Sequence, residues 1–358
     1  MLSLARPARK SVVSRRSIPG SQGDVQSLSE PRAPSIGWGR DRFPRRAGSD
    51  ERVQRLAHAG DCPAHGAGCT ICEVLLDQFV VNVTKGKKAI RWIRVTDDDH
   101  PVGAQLMASA AEPFVPAAMK LVEAGFDWID VNFGCPVKKV VGKCRGGWML
   151  GQPQKALEIL ARLRDALPPR VPLTLKMRRG LDDRPESRDA FFTILDGAKA
   201  LGVAGVTVHG RTVRQRYDGP SSWDFVREVK ARVGAWPVVG SGDLFTADDC
   251  LAMISRTGVD GVAIARGAIG NPWIFREVRA LAAGLPLPPP PSVGEQRAVI
   301  EEHARLAELV YGPKRAAHVM RNYGIKYARM HPQPQEVRNA FAAIRQPERW
   351  REVLEAWY

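Results

Sequence analysis

The sequence predicts an α/β fold: a (β/α)8 barrel over residues 66–284, followed by a small helical domain over residues 293–358. Three observations carry that prediction. Short β-branched runs alternate with longer stretches of helical periodicity, which is βα repetition. The strand-like runs are nearly all apolar, as parallel strands covered on both faces are, and their polar residues gather at the C-terminal ends, where a barrel carries its chemistry. A proline-dense run over residues 285–292 (LPLPPPPS) then acts as a stiff linker into sequence that reads as helix to the end.

Taken in order, the predicted strands are Cys69–Val74, Val102–Met107, Trp128–Phe133, Leu173–Met177, Gly205–His209, Val238–Gly242 and Gly261–Ala265. Between them lie amphipathic segments, Pro113–Ala124, Pro153–Ala166, Ser187–Leu201, Ser222–Val233 and Thr246–Arg256, several opened by a Ser, Thr or Pro start signal. Asn132, Lys176, His209, Asp243 and Arg266 fall at or near the ends of five successive strands or in the turns that follow. A doubly wound sheet would place its ligand at one switch point instead, so the barrel is favoured. Seven strands leave one to find, and it belongs before Cys69. Residues 1–65 mix Arg, Ser, Pro and Gly without periodicity and are expected to be disordered, so the first strand is expected to be missing or replaced.

The chain of 358 residues carries 53 Lys+Arg against 38 Asp+Glu, a formal charge of +15. Residues 66–358 keep +9 of it, a surface that suits a polyanionic partner as well as plain solubility. No window offers the roughly 18 uninterrupted apolar residues of a spanning helix. The beginning of the chain lacks the apolar block of a secretory signal, and its acidic residues spoil a transit-peptide pattern. A cytoplasmic protein with no membrane contact is expected. Six cysteines are too few for a disulfide scaffold in a chain of this length. The spacing Cys69-Thr-Ile-Cys72 lacks a second pair to complete a metal site, and a strand would point its two thiols to opposite faces, so no metal is expected.

The densest chemical cluster is Asp130-Val-Asn132-Phe-Gly-Cys135-Pro136. Gly before and Pro after Cys135 predict an irregular, exposed turn that positions a thiol over the barrel mouth, against the bland alternative of a small buried side chain. Lys176 lies in a strand sequence, where burying an ammonium is costly without an anion, and an anionic cofactor would supply one. His209 alone reads equally well as a satisfied core histidine. The loops Gly240-Ser241-Gly242-Asp243 and Ala265-Arg266-Gly-Ala268 follow successive strands and together predict a phosphate-bearing cofactor.

In order, NFGCP with VKKVVGKCRGGWML, LKMRRG, TVHGRT, GSGD and ARGAIGNPWIF closely resemble the tRNA-dihydrouridine synthase family, from about Gly66 to the end of the chain. The resemblance implies a TIM barrel that binds FMN, takes electrons from NADPH and reduces the C5–C6 double bond of particular uridines in tRNA. It implies Cys135 as the general acid that protonates C5 while hydride passes from the reduced flavin to C6. Asn132 would orient the uracil, and Gln105 and Lys176 would contact the flavin ring, the lysine stabilising negative charge there. His209 would lie against the ring or the substrate edge, with Ser241, Gly242, Asp243, Ala265 and Arg266 at the FMN phosphate. The helices of residues 293–358 would dock tRNA, the enzyme acting as a monomer, and the target uridine would be flipped out of its stack.

Two departures stand out. Ser241 replaces the family's usual Asn, and no Ala-Pro-Met-Ala-Gly-type first strand precedes Cys69. An absent first strand would leave open edges at Cys69–Val74 and Gly261–Ala265 and a looser flavin pocket. Two other readings use the same residues: an FMN barrel reducing a free small molecule, and a non-catalytic RNA-binding barrel without its flavin site.

Overall fold

The computed structural model describes residues 65–83, 93–107 and 109–358. It is a TIM-type α/β fold built on a wholly parallel sheet. The strands are β1 (Thr70–Ile71), β2 (Leu75–Leu76), β3 (Val102–Met107), β4 (Trp128–Phe133), β5 (Leu173–Arg178), β6 (Gly205–His209), β7 (Val238–Ser241) and β8 (Gly261–Ala263). They pair in the order β1-β3-β4-β5-β6-β7-β8, with β2 also on β3. Among the described residues no strand lies between β8 and β1. The expectation of disorder over residues 1–65 falls outside the described residues, apart from His65.

The predicted strand Cys69–Val74 needs correction, since β1 and β2 are two short pieces pairing one after the other with β3. Cys72 N donates to Gly103 O at 2.7 Å, but Gln105 N then turns to the Cys72 sulfur at 3.4 Å. A side chain takes the ladder bond at that point, and regular pairing resumes only at Leu75.

Period-two alternation sorts each strand into two faces. Ile129, Val131, Leu173, Leu175, Val206 and Val208 point outward into one large apolar core shared with the helices. The facing helices are Phe114–Glu123, Pro153–Ala166, Pro185–Ala200, Trp223–Val233 and Ala247–Thr257. Their starts follow the local chemistry. Ser222 accepts from Phe225 N at the first turn of one, and Thr246 and Asp249 form a reciprocal capping box on another. The inward residues of the lower strands, Ile71, Trp128, Val239 and Ala263, make a separate apolar floor with Cys69. Above that floor the inward residues turn polar.

After the segment over residues 285–292 come helices Val293–Tyr311, Pro313–Tyr327, Pro334–Ala343 and Trp350–Trp357, gathered on their own core around Ile300, Met320, Tyr327, Phe341 and Trp350. They dock on the loop after β8. Glu295 accepts from Trp273 Nε1 at 2.7 Å and Arg276 Nη1 at 2.5 Å, and Arg329 donates to Gly267 O. Gly270 lies so close to the Lys326–Tyr327 backbone that a Cβ there would approach within 2.5 Å.

The floor rests on one glycine. A Cβ at Gly103 would sit 2.2 Å from the Trp128 ring, which is 4% exposed and has nowhere to move. Gly103→Ala is therefore expected to lower stability by about 1–3 kcal/mol through overpacking. A thermal or urea melt checks this, and an unchanged midpoint refutes it.

Candidate active site

The register of the strands places the site. Gln105 pairs with Asp130, Asn132 with Lys176, Lys176 with Thr207, and His209 with Ser241, so these inward residues stand in adjacent rows above the apolar floor. All are buried. Lys176 is not at a strand end, as its spacing suggested, but four residues into the six-residue β5. It sits near an anion of the chain itself, the Asp130 carboxylate, whose ionised form its charge favours.

Asp130 lies at the centre of a connected set. Its Oδ1 accepts from Thr174 Oγ1 at 2.7 Å and its Oδ2 from Gln105 Nε2 at 2.7 Å. Gln105 Oε1 accepts from Asn132 Nδ2 at 2.6 Å, and Asn132 Oδ1 accepts from Gly134 N at 2.9 Å. Complete burial pushes the Asp130 carboxyl up to about 7, against the opposing pull of those two donors and of Lys176.

The turn at Cys135 is less open than Gly-Cys-Pro suggested, because the thiol residue is half-buried. Gly147 N donates to Cys135 O at 3.0 Å, and a Cβ on Gly146 would come within 2.8 Å of Cys135 Cβ, so two glycines let the following loop close against the turn. Arg178 holds it from the other side. Its fully buried guanidinium donates from Nε to Gly134 O at 3.0 Å and from Nη1 to Thr212 O and Arg216 O at 3.0 and 2.6 Å. The wholly buried Asp77 faces Arg145 across 3.9 Å, close to the same loop.

A cavity opens beyond β6, β7 and β8, lined by His209, Ser241, Gly242, Asp243, Ala265 and Arg266 among others. Gly242 has φ +114°, and a Cβ there would meet Ser221 Oγ at 2.3 Å. Asp243 also takes the left-handed region, at φ +57°. Its carboxylate points at cations: it accepts from Arg211 Nη2 at 2.8 Å, Arg266 Nη2 at 3.2 Å and Ser221 N at 2.8 Å. The Arg266 guanidinium stacks between Tyr217 and Phe245, 4.9 and 5.1 Å from their ring centres. His209 Nδ1 accepts from Arg211 N at 3.2 Å, which leaves Nε2 toward Gly242.

A phosphate-bearing flavin fits these residues. Ser221 Oγ beside Gly242, Thr207 Oγ1 inside the barrel and Arg211 Nη1 are buried polar atoms without a hydrogen-bond partner among the described residues. Donors left so around a cleft lined by Arg266, with Arg211 on the far side of Asp243, match an anionic ligand. Among the described residues there is no group of three or more His, Cys, Asp or Glu side chains arranged to hold a metal.

The family model for dihydrouridine synthase matches residues 62–357. The chain belongs to the dihydrouridine synthase family. Its relatives include a probable tRNA-dihydrouridine synthase of Mycobacterium leprae, 33% identical over 285 residues, covering 78% of this chain and 72% of that one. Another is tRNA-dihydrouridine synthase B of Yersinia pestis, 33% identical over 298 residues, covering 83% and 90%. Among solved structures, histamine dehydrogenase from Rhizobium sp. 4-9 shares the fold at TM-score 0.52 and 14% identity, over 73% of this chain and 47% of that one. The 6-hydroxypseudooxynicotine amine oxidase of Pseudomonas geniculata N1 does so at TM-score 0.51 and 14% identity, over 78% and 53%. The chain thus spans about half the length of those two proteins. As a dihydrouridine synthase it is a flavin-dependent oxidoreductase.

Several site residues escaped the sequence reading. Thr174 and Arg178 flank Lys176 at spacing two in LTLKMR, which is a legible sign that they share its face. Asp130, named in the densest cluster but given no role there, shares a face with Asn132 by the same rule. Arg211 stands in the TVHGRT run but was given no role there, and Ser221 and Tyr217 had no local signal, since all three roles depend on how the loop after β6 folds back over β7. Of the other cysteines, Cys69 joins the floor, Cys72 supplies the sulfur that interrupts the first strand, Cys144 is exposed at φ +56°, and burial pushes the Cys250 thiol up to about 12.

Asp130 makes folding depend on pH in a definite direction. Its carboxyl binds a proton more readily in the folded chain than in the unfolded one, so the stability it contributes is full at low pH and is lost as pH rises toward 7. Asp130→Asn carries no such loss. Urea melts of the two proteins between about pH 5 and about pH 8 should show the variant gaining on the wild type with rising pH, by at most about 1.4 kcal/mol per unit. A constant difference across that range would refute the assignment.

Proposed function

We propose that this chain is a tRNA-dihydrouridine synthase, reducing the C5–C6 double bond of uridines in tRNA, with FMN as its flavin and NADPH as the electron donor. The observation that carries this is the joint position of Asn132, Lys176 and the Cys135 turn at the mouth of a barrel whose neighbouring cavity is lined by Arg266 and Gly242. Reduced FMN, when bound, supplies hydride for C6 of the uracil ring.

The residues then have distinct work. Cys135 delivers the proton to C5 from a turn held by Arg178 and Gly147. Asn132 orients the uracil, and Gln105 and Lys176 face the flavin ring, where the ammonium offsets negative charge. His209 lies at the ring, while Ser241, Gly242, Ala265 and Arg266 hold the phosphate. Asp243 belongs with them in a different role: a carboxylate repels phosphate, and its three hydrogen bonds make it the support that aims Arg266 and Arg211.

The helices over residues 293–358 dock the tRNA, and the enzyme acts as a monomer in the cytoplasm, where that substrate is. No helix among the described residues is long and apolar enough to cross a membrane. The exposed Lys326 stands where its helix meets the loop after β8, and Lys314 is exposed on the first turn of the same helix.

Cys135→Ala should lower dihydrouridine formation by about 10²–10⁴-fold, the span of a lost general acid, while FMN binding persists. Mass spectrometry of treated tRNA and flavin fluorescence read the two quantities. Full product yield sinks the role of the thiol.

Removing the helical region whole would uncover Trp273 and strand Arg276, so charge reversal is the cleaner test of docking. Lys314→Glu with Lys326→Glu should weaken tRNA binding and reduce the slope of log affinity on log salt by about one for each phosphate no longer neutralised. An unchanged slope would favour a free small molecule as substrate.

A further inference from the structure

Inside the barrel, the hydrogen bonds from Asp130 to Gly134 all run in one direction. Gly134 N donates to Asn132 Oδ1, Asn132 Nδ2 to Gln105 Oε1, and Gln105 Nε2 to Asp130 Oδ2, at 2.9, 2.6 and 2.7 Å. The two amides in the middle each have one donating and one accepting end, and either could be turned over. The ends cannot. Gly134 N–H only donates, and Asp130 Oδ2 accepts whether the carboxyl is ionised or carries its proton on Oδ1, where the Thr174 hydroxyl can accept it. Turning Gln105 over would force Asn132 over as well and set its NH2 against Gly134 N–H, two buried donors facing each other.

We propose that Asp130 is a positioning residue for the reaction: through Gln105 and Asn132 it sets the direction of this chain and so holds the turn that carries Cys135. The proposal rests on the reading that Cys135 and Asn132 act on the substrate. The outer bond from Thr174 gives the arrangement its tolerance, because a hydroxyl can donate or accept. An amide at position 130 can keep its oxygen toward Gln105 as long as its NH2 finds Thr174 Oγ1. Without that hydroxyl, its NH2 is satisfied only by turning Gln105 over.

The test compares the flavin-loaded full chain as wild type, Asp130→Asn, Thr174→Val and the double substitution. Three quantities are read: the alkylation rate of Cys135 by iodoacetamide, resolved by peptide mass spectrometry, and kcat and KM on tRNA. Each single change should alter the alkylation rate and kcat by less than about threefold, and the double change by at least about tenfold more than their product, at constant KM. Effects that simply multiply overturn the proposal. So does a loss of kcat with unaltered alkylation, since the carboxylate would then act by its charge alone. If the wild type reduces no tRNA while the alkylation rates couple as described, the functional reading fails and the positioning of the turn stands.

Should the double variant melt too low to assay, Asn132→Asp with and without Asp130→Asn decides the matter by melting temperature. Asn132→Asp alone leaves one Gln105 NH2 between two carboxylates and lowers the midpoint. Adding Asp130→Asn lets Gln105 turn over, so that both of its bonds reverse while Gly134 N still donates to position 132, and the midpoint should recover. A further fall overturns the proposal.

Discussion

Two-sided burial of parallel strands is the constraint from which the rest of this molecule follows. Every inward and outward residue of β3 to β6 is withdrawn from water, so each inward polar group needs a partner inside the barrel or a ligand at its mouth. The outward rows meet this condition by being apolar. The inward rows divide it by height, with Trp128, Val239 and Ala263 below and Asp130, Asn132, Lys176 and Thr207 above. A slip of one residue in any strand would exchange the two faces and dissolve the site.

The polar layer is organised around charge. Asp130 is the buried carboxyl group near Lys176, and Asp243 is the carboxylate between Arg211 and Arg266. In both places a carboxylate fixes a cation or an amide that would otherwise sample several rotamers, and holding such groups in place beforehand is what a charge-stabilising site requires. The two differ in environment. Complete burial raises the Asp130 carboxyl well above its ordinary range, whereas Asp243 sits at the cavity wall among three donors.

The helical region is joined to this layer without intermediaries. Arg266 at the cavity, Gly267 under Arg329 and Gly270 against Lys326 lie within five residues of one another after β8. The loop that borders the proposed phosphate site is therefore also the surface on which the last helices rest. Trp273, fully buried and bonded to Glu295, locks the contact with an aromatic ring and a directional bond.

Much of this architecture was legible in the residues themselves. The β-branched runs at Val102–Met107, Trp128–Phe133 and Gly205–His209 have the same bounds as the strands, because parallel strands buried on both faces leave a continuous apolar signal. The helices beginning after Ser222 and Thr246 were marked by caps, which are local chemistry. What sequence could not supply is whatever depends on a partner far along the chain. The first strand is interrupted because Gln105 N meets a sulfur 33 residues away, and the Asp130 carboxyl is pushed up to about 7 only because strands distant in sequence bury it completely. The sequence put Asp243 at the phosphate, but its pairing with Arg211 and Arg266 shows only once the fold brings those two residues to it from two other loops. Local order follows from neighbours in sequence, whereas burial, hydrogen-bond direction and the pairing of charges exist only once distant strands share one interior.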